Sequence, residues 1–221
     1  MIYVETLVRA SMEDLWDATQ SPRLHQSWDV RFTRITYLPR RPGEPQRFRY
    51  EVRPLPLMVI GGVGVTTAER HHGDGTRTSA LRFASGHPLS PIRSGSGYWR
   101  YVPCDGGIRF LTGYRYDGWA WSRPLMGWAT AWSFDRLRLW LETGRSPRRL
   151  LVSAITEVVA RTAVSAAVAW WLPTWCALLV TAALVLIPPL RGTPAARRCR
   201  RRPPDSVARR PPEILDDLEE T

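Results

Sequence analysis

The groups in this chain that could move a proton, bind a metal or attack a carbon are few and scattered. The histidines are His25, His71, His72 and His87, and none stands in a metal-binding spacing such as His-Glu-x-x-His. Cys104, Cys176 and Cys199 are far apart and odd in number, which leaves no disulfide framework and no zinc ribbon. Gly61-Gly62-Val63-Gly64 lacks the following helix and the spacing of a phosphate-binding loop, so it reads as the start of a strand or a bulge. No Gly-x-Ser-x-Gly elbow selects a serine as nucleophile. The residues carry no strong catalytic signature, and the sequence predicts neither a metal nor a cofactor.

Aromatic side chains carry more signal. Trp99 and Tyr101 alternate onto one face of a strand, and Phe110, Tyr114 and Tyr116 onto one face of the next. Trp128 and Trp132 lie about one turn apart on a helix. Converging, these faces would line an apolar cavity with a few phenol hydroxyls, the usual make-up of a small-molecule pocket. Filling that space instead, they would form an ordinary core. The residues alone leave both readings open.

The elements that must position them are legible from period and punctuation. Ile2–Ala10 alternates as a strand, and Ser11 is a natural cap for a short helix through Ala18. Ser21-Pro22 opens a second short helix ending near Trp28. Period-two segments follow at Arg31–Pro39, Gln46–Arg53, Gly64–His71, Arg77–Ser85, Gly97–Pro103 and Ile108–Tyr116, the last four paired as hairpins across glycine-containing turns. One long helix, about Pro124–Thr143, closes the unit, with Gly144 as its stop. The fold class is therefore α+β: a curved antiparallel sheet of about six to seven strands, with a single long helix across its concave face.

At this point the sequence resembles the START-like (SRPBCC) superfamily of polyketide cyclases/dehydrases and lipid-transport proteins. The resemblance rests on Ala10-Ser11-Met12-Glu13-Asp14-Leu15-Trp16, on Ser21-Pro22 followed by Trp28-Asp29, and on Phe134-Asp135-Arg136-Leu137-Arg138-Leu139-Trp140-Leu141-Glu142-Thr143-Gly144. It covers about residues 1–145 and implies the helix-grip fold, with a hydrophobic ligand in a tunnel between sheet and helix. Two functions follow from it. One is binding or transfer of a lipid or polyketide-like molecule, with Trp99, Tyr101, Phe110, Tyr114, Tyr116, Trp128 and Trp132 as candidate lining. The other is a cyclase or aromatase in which a Tyr, His or Arg in the same pocket promotes enolisation.

Charge divides the rest. The chain has 221 residues and a net charge of +11, and all its basic residues are arginine. After a linker at 146–149, residues 150–190 contain just two charged residues, Glu157 and Arg161, and 29 uncharged residues separate Arg161 from Arg191. Such a run predicts C-terminal transmembrane helices. Arginines on both flanks, and no export signal at Met1–Ala10, predict a helical hairpin of 150–172 and 174–190 with both ends and the N-terminal domain cytoplasmic. Glu157 and Arg161, four apart, read as a self-neutralising pair facing the second limb. Residues 191–221, rich in Arg and Pro and then acidic, are expected to be disordered. Their arginines would meet anionic lipid headgroups rather than nucleic acid, since no aromatics are interleaved with them.

Overall fold

The computed structural model describes residues 1–41, 43–55, 57–205, 208 and 211–212. Strand β1 (Ile2–Val8) leads through Ser11, whose side chain accepts the Asp14 amide at 3.0 Å, into α1 (Met12–Gln20). Helix α2 (Pro22–Trp28) begins on Pro22. The strands β2 (Arg34–Tyr37), β3 (Gln46–Leu55), β4 (Met58–His71), β5 (Arg77–Ala84), β6 (Ile92–Cys104) and β7 (Gly107–Gly118) follow. All pair antiparallel in the order β1-β7-β6-β5-β4-β3-β2. Gly61–Gly64 lies inside β4 in continuous register with β3, and the irregularity falls later, between Thr66 and Ala68. The expected start or bulge at these glycines is thus replaced by a regular strand.

Helix α3 (Arg123–Thr143) ends at Gly144, whose φ of +69° lets its amide reach back to the Trp140 carbonyl. It lies over the β1–β7–β6 half of the sheet, where Phe134 stacks on Phe110 with centroids 4.4 Å apart. Val4, Val8, Leu15, Trp28, Tyr101 and Leu137 complete this core. From Thr130 to Leu137 every α3 residue is buried, Asp135 and Arg136 included. A helix covered on one face could not do this. The second cover is the C-terminal part of the chain.

Helix α4 (Pro147–Trp171) starts directly on its cap Ser146, so the segment 146–149 is helix start rather than linker. The reason lies in Arg136, which donates to the Pro147 carbonyl at 2.9 and 2.7 Å and fixes the first turn against α3. Helix α5 (Thr174–Leu186) returns along α4 after the turn at Leu172-Pro173, and ends four residues short of the expected Leu190. Arg161 pairs with Glu157 at 2.5 Å and donates to the Leu184 and Ile187 carbonyls at 2.7 and 2.8 Å, so the pair faces α5.

The stretch after Arg191 departs from the expected disorder. Asp135 Oδ2 accepts the Ala195 amide at 2.8 Å and Arg198 at 3.0 Å, and Ala196 and Cys199 enter the core. Arg200 exchanges two 2.9 Å backbone hydrogen bonds with Glu5 on the outer edge of β1. Composition hides this order because the segment borrows its apolar partners from α3 and β1. The acidic end, from Glu213, lies outside the described residues.

Candidate functional site

The end of α2 delivers an ionised cluster into the interior. His25 and Asp29 are one helical turn apart, and the His25 Nε2 lies 3.2 Å from Asp29 Oδ2. Arg31 grips the same carboxylate at 2.9 and 2.6 Å, and the Ser133 hydroxyl of α3 donates to it at 3.2 Å. Burial by itself would raise the Asp29 pKa, but the Arg31 charge and these hydrogen bonds outweigh it and hold the carboxyl well below its ordinary range. Burial likewise pulls at Arg31, and Asp29 more than restores its positive charge. His25 differs. Burial dominates over Asp29 and lowers its pKa, keeping the imidazole neutral.

Aromatic rings wall this cluster. His25 stacks on Trp28 and meets Phe32 and Trp99 edge-on at 5.2 and 4.9 Å. Arg31 lies over Phe32 and over Tyr114, whose hydroxyl is 2.9 Å from Thr130 Oγ1. Phe32 continues to Tyr50 at 5.7 Å, carrying the wall onto β3.

There the concave face becomes a floor of rings laid over glycines. A Cβ on Gly64 would stand 2.2 Å from the Phe48 ring, and one on Gly62 would stand 2.2 Å from the Tyr50 hydroxyl. Gly95 holds the Phe83 ring in the same manner, and Gly97 holds the base of Tyr114. Strand register produces this pattern, since Phe48 is opposite Gly64 and Tyr50 opposite Gly62. Phe48, Thr66, Leu81 and Phe83 are half-buried, while α3 covers the other half of the sheet. The arrangement presents a half-buried apolar surface with hydrogen-bonding groups at one end.

The seven residues expected to line one pocket are divided among three places. Trp99, Tyr101 and Phe110 are buried in close ring contacts, and the Tyr101 hydroxyl is held by Thr19 at 2.6 Å and Gln20 at 3.0 Å. Tyr114 and Tyr116 border a concavity of about 560 Å³ near Met1, whose walls include the outward-facing Arg82, Ser94, Ser96, Arg115 and Asp117. Trp128 and Trp132 border another of about 350 Å³ on the far side of α3, between that helix, the hairpin and the segment after Thr193. Ring convergence is thus real for the first three, but it makes core.

Sequence reasoning missed His25, Asp29, Arg31 and Ser133 as a group. The available signal was the four-residue spacing of His25 and Asp29, followed closely by a second charge at Arg31. Among the described residues, no group of three or more His, Cys, Asp or Glu could hold a metal ion.

Comparisons with known proteins agree with this geometry at the level of fold. No family model matches the chain. YndG of Bacillus subtilis (strain 168), an uncharacterized membrane protein, is 45% identical over 168 residues, which is 71% of this chain. The chain spans 63% of the length of that relative. A STAR-related lipid transfer protein from Xanthomonas axonopodis superposes with a TM-score of 0.50 at 18% identity, over 64% of this chain and 85% of its own. Human StAR-related lipid transfer protein 5 does so with a TM-score of 0.50 at 14% identity, over 63% and 74%. The N-terminal domain has the START-like (SRPBCC) helix-grip fold.

Proposed function

We propose that this START-like domain binds a hydrophobic small molecule, lipid or polyketide-like, on its concave face, and that the C-terminal hairpin holds it on the cell membrane with the domain in the cytoplasm. The observation that carries the reading is the floor of rings over glycines beside the His25–Asp29–Arg31 cluster. Phe48 and Phe83 there are half-buried, beyond the part of the sheet that α3 covers, and open apolar walls are what a small-molecule ligand needs. The fold shared with lipid transfer proteins supports the same location by analogy.

The anchor rests on surface chemistry. Trp170 and Trp171 are 82% and 80% exposed, and Leu178, Leu179, Val185 and Leu186 are each more than 60% exposed. That apolar surface is far beyond what a soluble monomer leaves in water. Helix α4 passes the length and hydropathy needed to cross a membrane, while α5 is shorter. Beyond the Glu157–Arg161 pair, α4 continues for Thr162–Trp171, roughly 15 Å at about 1.5 Å per residue. A hydrocarbon core is about 30 Å thick. With Arg161, Arg197 and Arg198 bound to carbonyls at its base, the hairpin enters one leaflet and returns to the side it came from.

Solvent extraction of the purified full-length protein, followed by mass spectrometry, tests the binding reading. A discrete hydrophobic compound is expected, reduced in Phe32→Ala and Phe83→Ala variants. Recovery no greater than from a mock purification would end it.

One observation favours a second reading, a cyclase- or aromatase-type enzyme. Asp29 holds His25 Nε2 while burial keeps the imidazole neutral, which leaves Nδ1 as the basic nitrogen of an acid–base pair. In that case His25→Gln abolishes turnover of the extracted compound without abolishing its retention.

A further inference from the structure

The 350 Å³ concavity behind α3 belongs to neither the ring floor nor the ionised cluster. Its walls are apolar, from Trp128, Trp132, Val158, Val185 and Pro189, and its rim is cationic. Of the rim arginines, Arg161 is satisfied by Glu157 and by α5 carbonyls, and Arg197 donates to the Leu186 and Ile187 carbonyls at 3.3 and 2.9 Å. Arg201 is exposed and makes no hydrogen bond or ion pair among the described residues. Glu157 is the one acid on the lining, and it is already paired.

We infer that this concavity is a binding site for one anionic phospholipid of the host leaflet, with an acyl chain between Trp128, Trp132 and Val158 and the phosphate at Arg201. Three observations carry it. The volume is at the low end of small-molecule sites, about 300–1,000 Å³, which suits a chain rather than a whole lipid. The lining has a charge excess opposite in sign to a phosphate. Its apolar wall is continuous with the exposed faces of Val158 and Val185, where the hairpin surface begins. A hairpin seated in one leaflet therefore sets the mouth at the headgroup layer. The site rests on the proposed membrane anchor, but not on the proposed ligand of the concave face. It differs from the general attraction of an arginine-rich segment in holding a single lipid in a shaped cavity.

The test uses the full chain, extracted and stripped of lipid in detergent, then titrated and weighed by native mass spectrometry. The probes are phosphatidylglycerol, phosphatidylcholine and inorganic phosphate. One phosphatidylglycerol per chain is expected, retained in preference to phosphatidylcholine. Arg201→Gln, an exposed change that leaves the fold intact, should weaken phosphatidylglycerol about fivefold and leave phosphatidylcholine unchanged. Val158→Trp, which fills the cavity, should remove the bound lipid, with circular dichroism confirming that the variant is folded. Equal retention of both lipids by the wild type, or no effect of Arg201→Gln, overturns the inference. So does full competition by inorganic phosphate, which would make the site one for a free anion. Flotation of the same samples with vesicles separates the two failures. A chain that does not float defeats the anchor itself, whereas one that floats without selective retention defeats this site alone.

Discussion

Asp135, fully buried in the middle of α3, holds Arg198 at 3.0 Å across 63 residues of chain, and so fastens the segment after the hairpin to the centre of the domain. The same carboxylate takes the Ala195 amide on Oδ2 and Arg138 on Oδ1 at 2.9 and 2.7 Å. Removing its charge leaves two guanidinium groups and an amide facing a weaker acceptor. Asp135→Asn is expected to destabilise the protein by about 3 kcal/mol, the cost of breaking a buried pair. It should also release the backbone from Arg197 to Arg202 from α3 and open it to cleavage. Limited trypsin digestion, compared with thermal unfolding in detergent, checks both effects, and unchanged cleavage would detach Asp135 from the tail.

The ionised cluster makes stability depend on acid. His25 is held neutral in the fold, below its ordinary value of 6.5, so the unfolded chain binds the proton more readily. Stability is therefore complete above that value and falls as pH drops through it, by at most about 1.4 kcal/mol per pH unit. Asp29 acts in the same direction at lower pH, since its folded pKa is depressed below 3.8 and its contribution is lost as the carboxyl protonates. Urea titrations between pH 8 and pH 5 should show the first slope, and His25→Gln should flatten it. A slope unaltered by that change would assign it to other groups.

The glycine floor predicts an asymmetry between two neighbouring substitutions. At Gly64 an added methyl meets the end of the Phe48 ring, which can swing away. At Gly62 it meets the Tyr50 hydroxyl and also the Ala84 carbonyl oxygen at 2.5 Å, which cannot. Gly62→Ala should cost more than Gly64→Ala, within the roughly 1–3 kcal/mol typical of overpacking. Adding Phe48→Ala should recover much of the Gly64→Ala loss, while Tyr50→Ala should recover little of the Gly62→Ala loss. Chemical denaturation of the four variants measures the pattern, and equal recovery would remove the backbone clash as its cause.

The three cysteines report on the hairpin without engineering new labels. Cys104 is exposed on the domain, Cys199 is buried with its thiol pushed up to about 12 by burial, and Cys176 sits in the first turn of α5 beside the turn. A membrane-impermeant maleimide applied to either side of sealed vesicles should label Cys104 from the domain side, and neither of the others. Labelling of Cys176 from the opposite side would mean that the hairpin crosses the bilayer.

Elements whose partners lie nearby were readable in the residues. The Ser11 cap, the Ser21-Pro22 helix start, the paired strands around Asp105-Gly106-Gly107 and the Gly144 stop each act within a few positions. Long-range partnerships were not. Period two puts Trp99, Tyr101 and Phe110 on inward faces, but it cannot say that Phe134 will already fill the space between them. Nothing local to Asp135 and Arg136 reveals that Ala195, Arg198 and Pro147 come back to meet them on α3. The ring floor needed the β3–β4 register, which two separate stretches of sequence do not contain individually.

The backbone bridge between Glu5 and Arg200 sets an order of assembly. Strand β1 is made before the apolar hairpin, and its outer edge meets a segment made only after that hairpin. Until then, an unpaired strand edge and the uncovered back of α3 stay available to neighbouring chains. Under the proposed membrane anchor, completion of the domain waits on lipid: the hairpin meets the bilayer before its downstream arm returns to α3 and β1. On that proposal the protein is finished at the membrane surface, and a chain that misses the membrane keeps β1 unsealed.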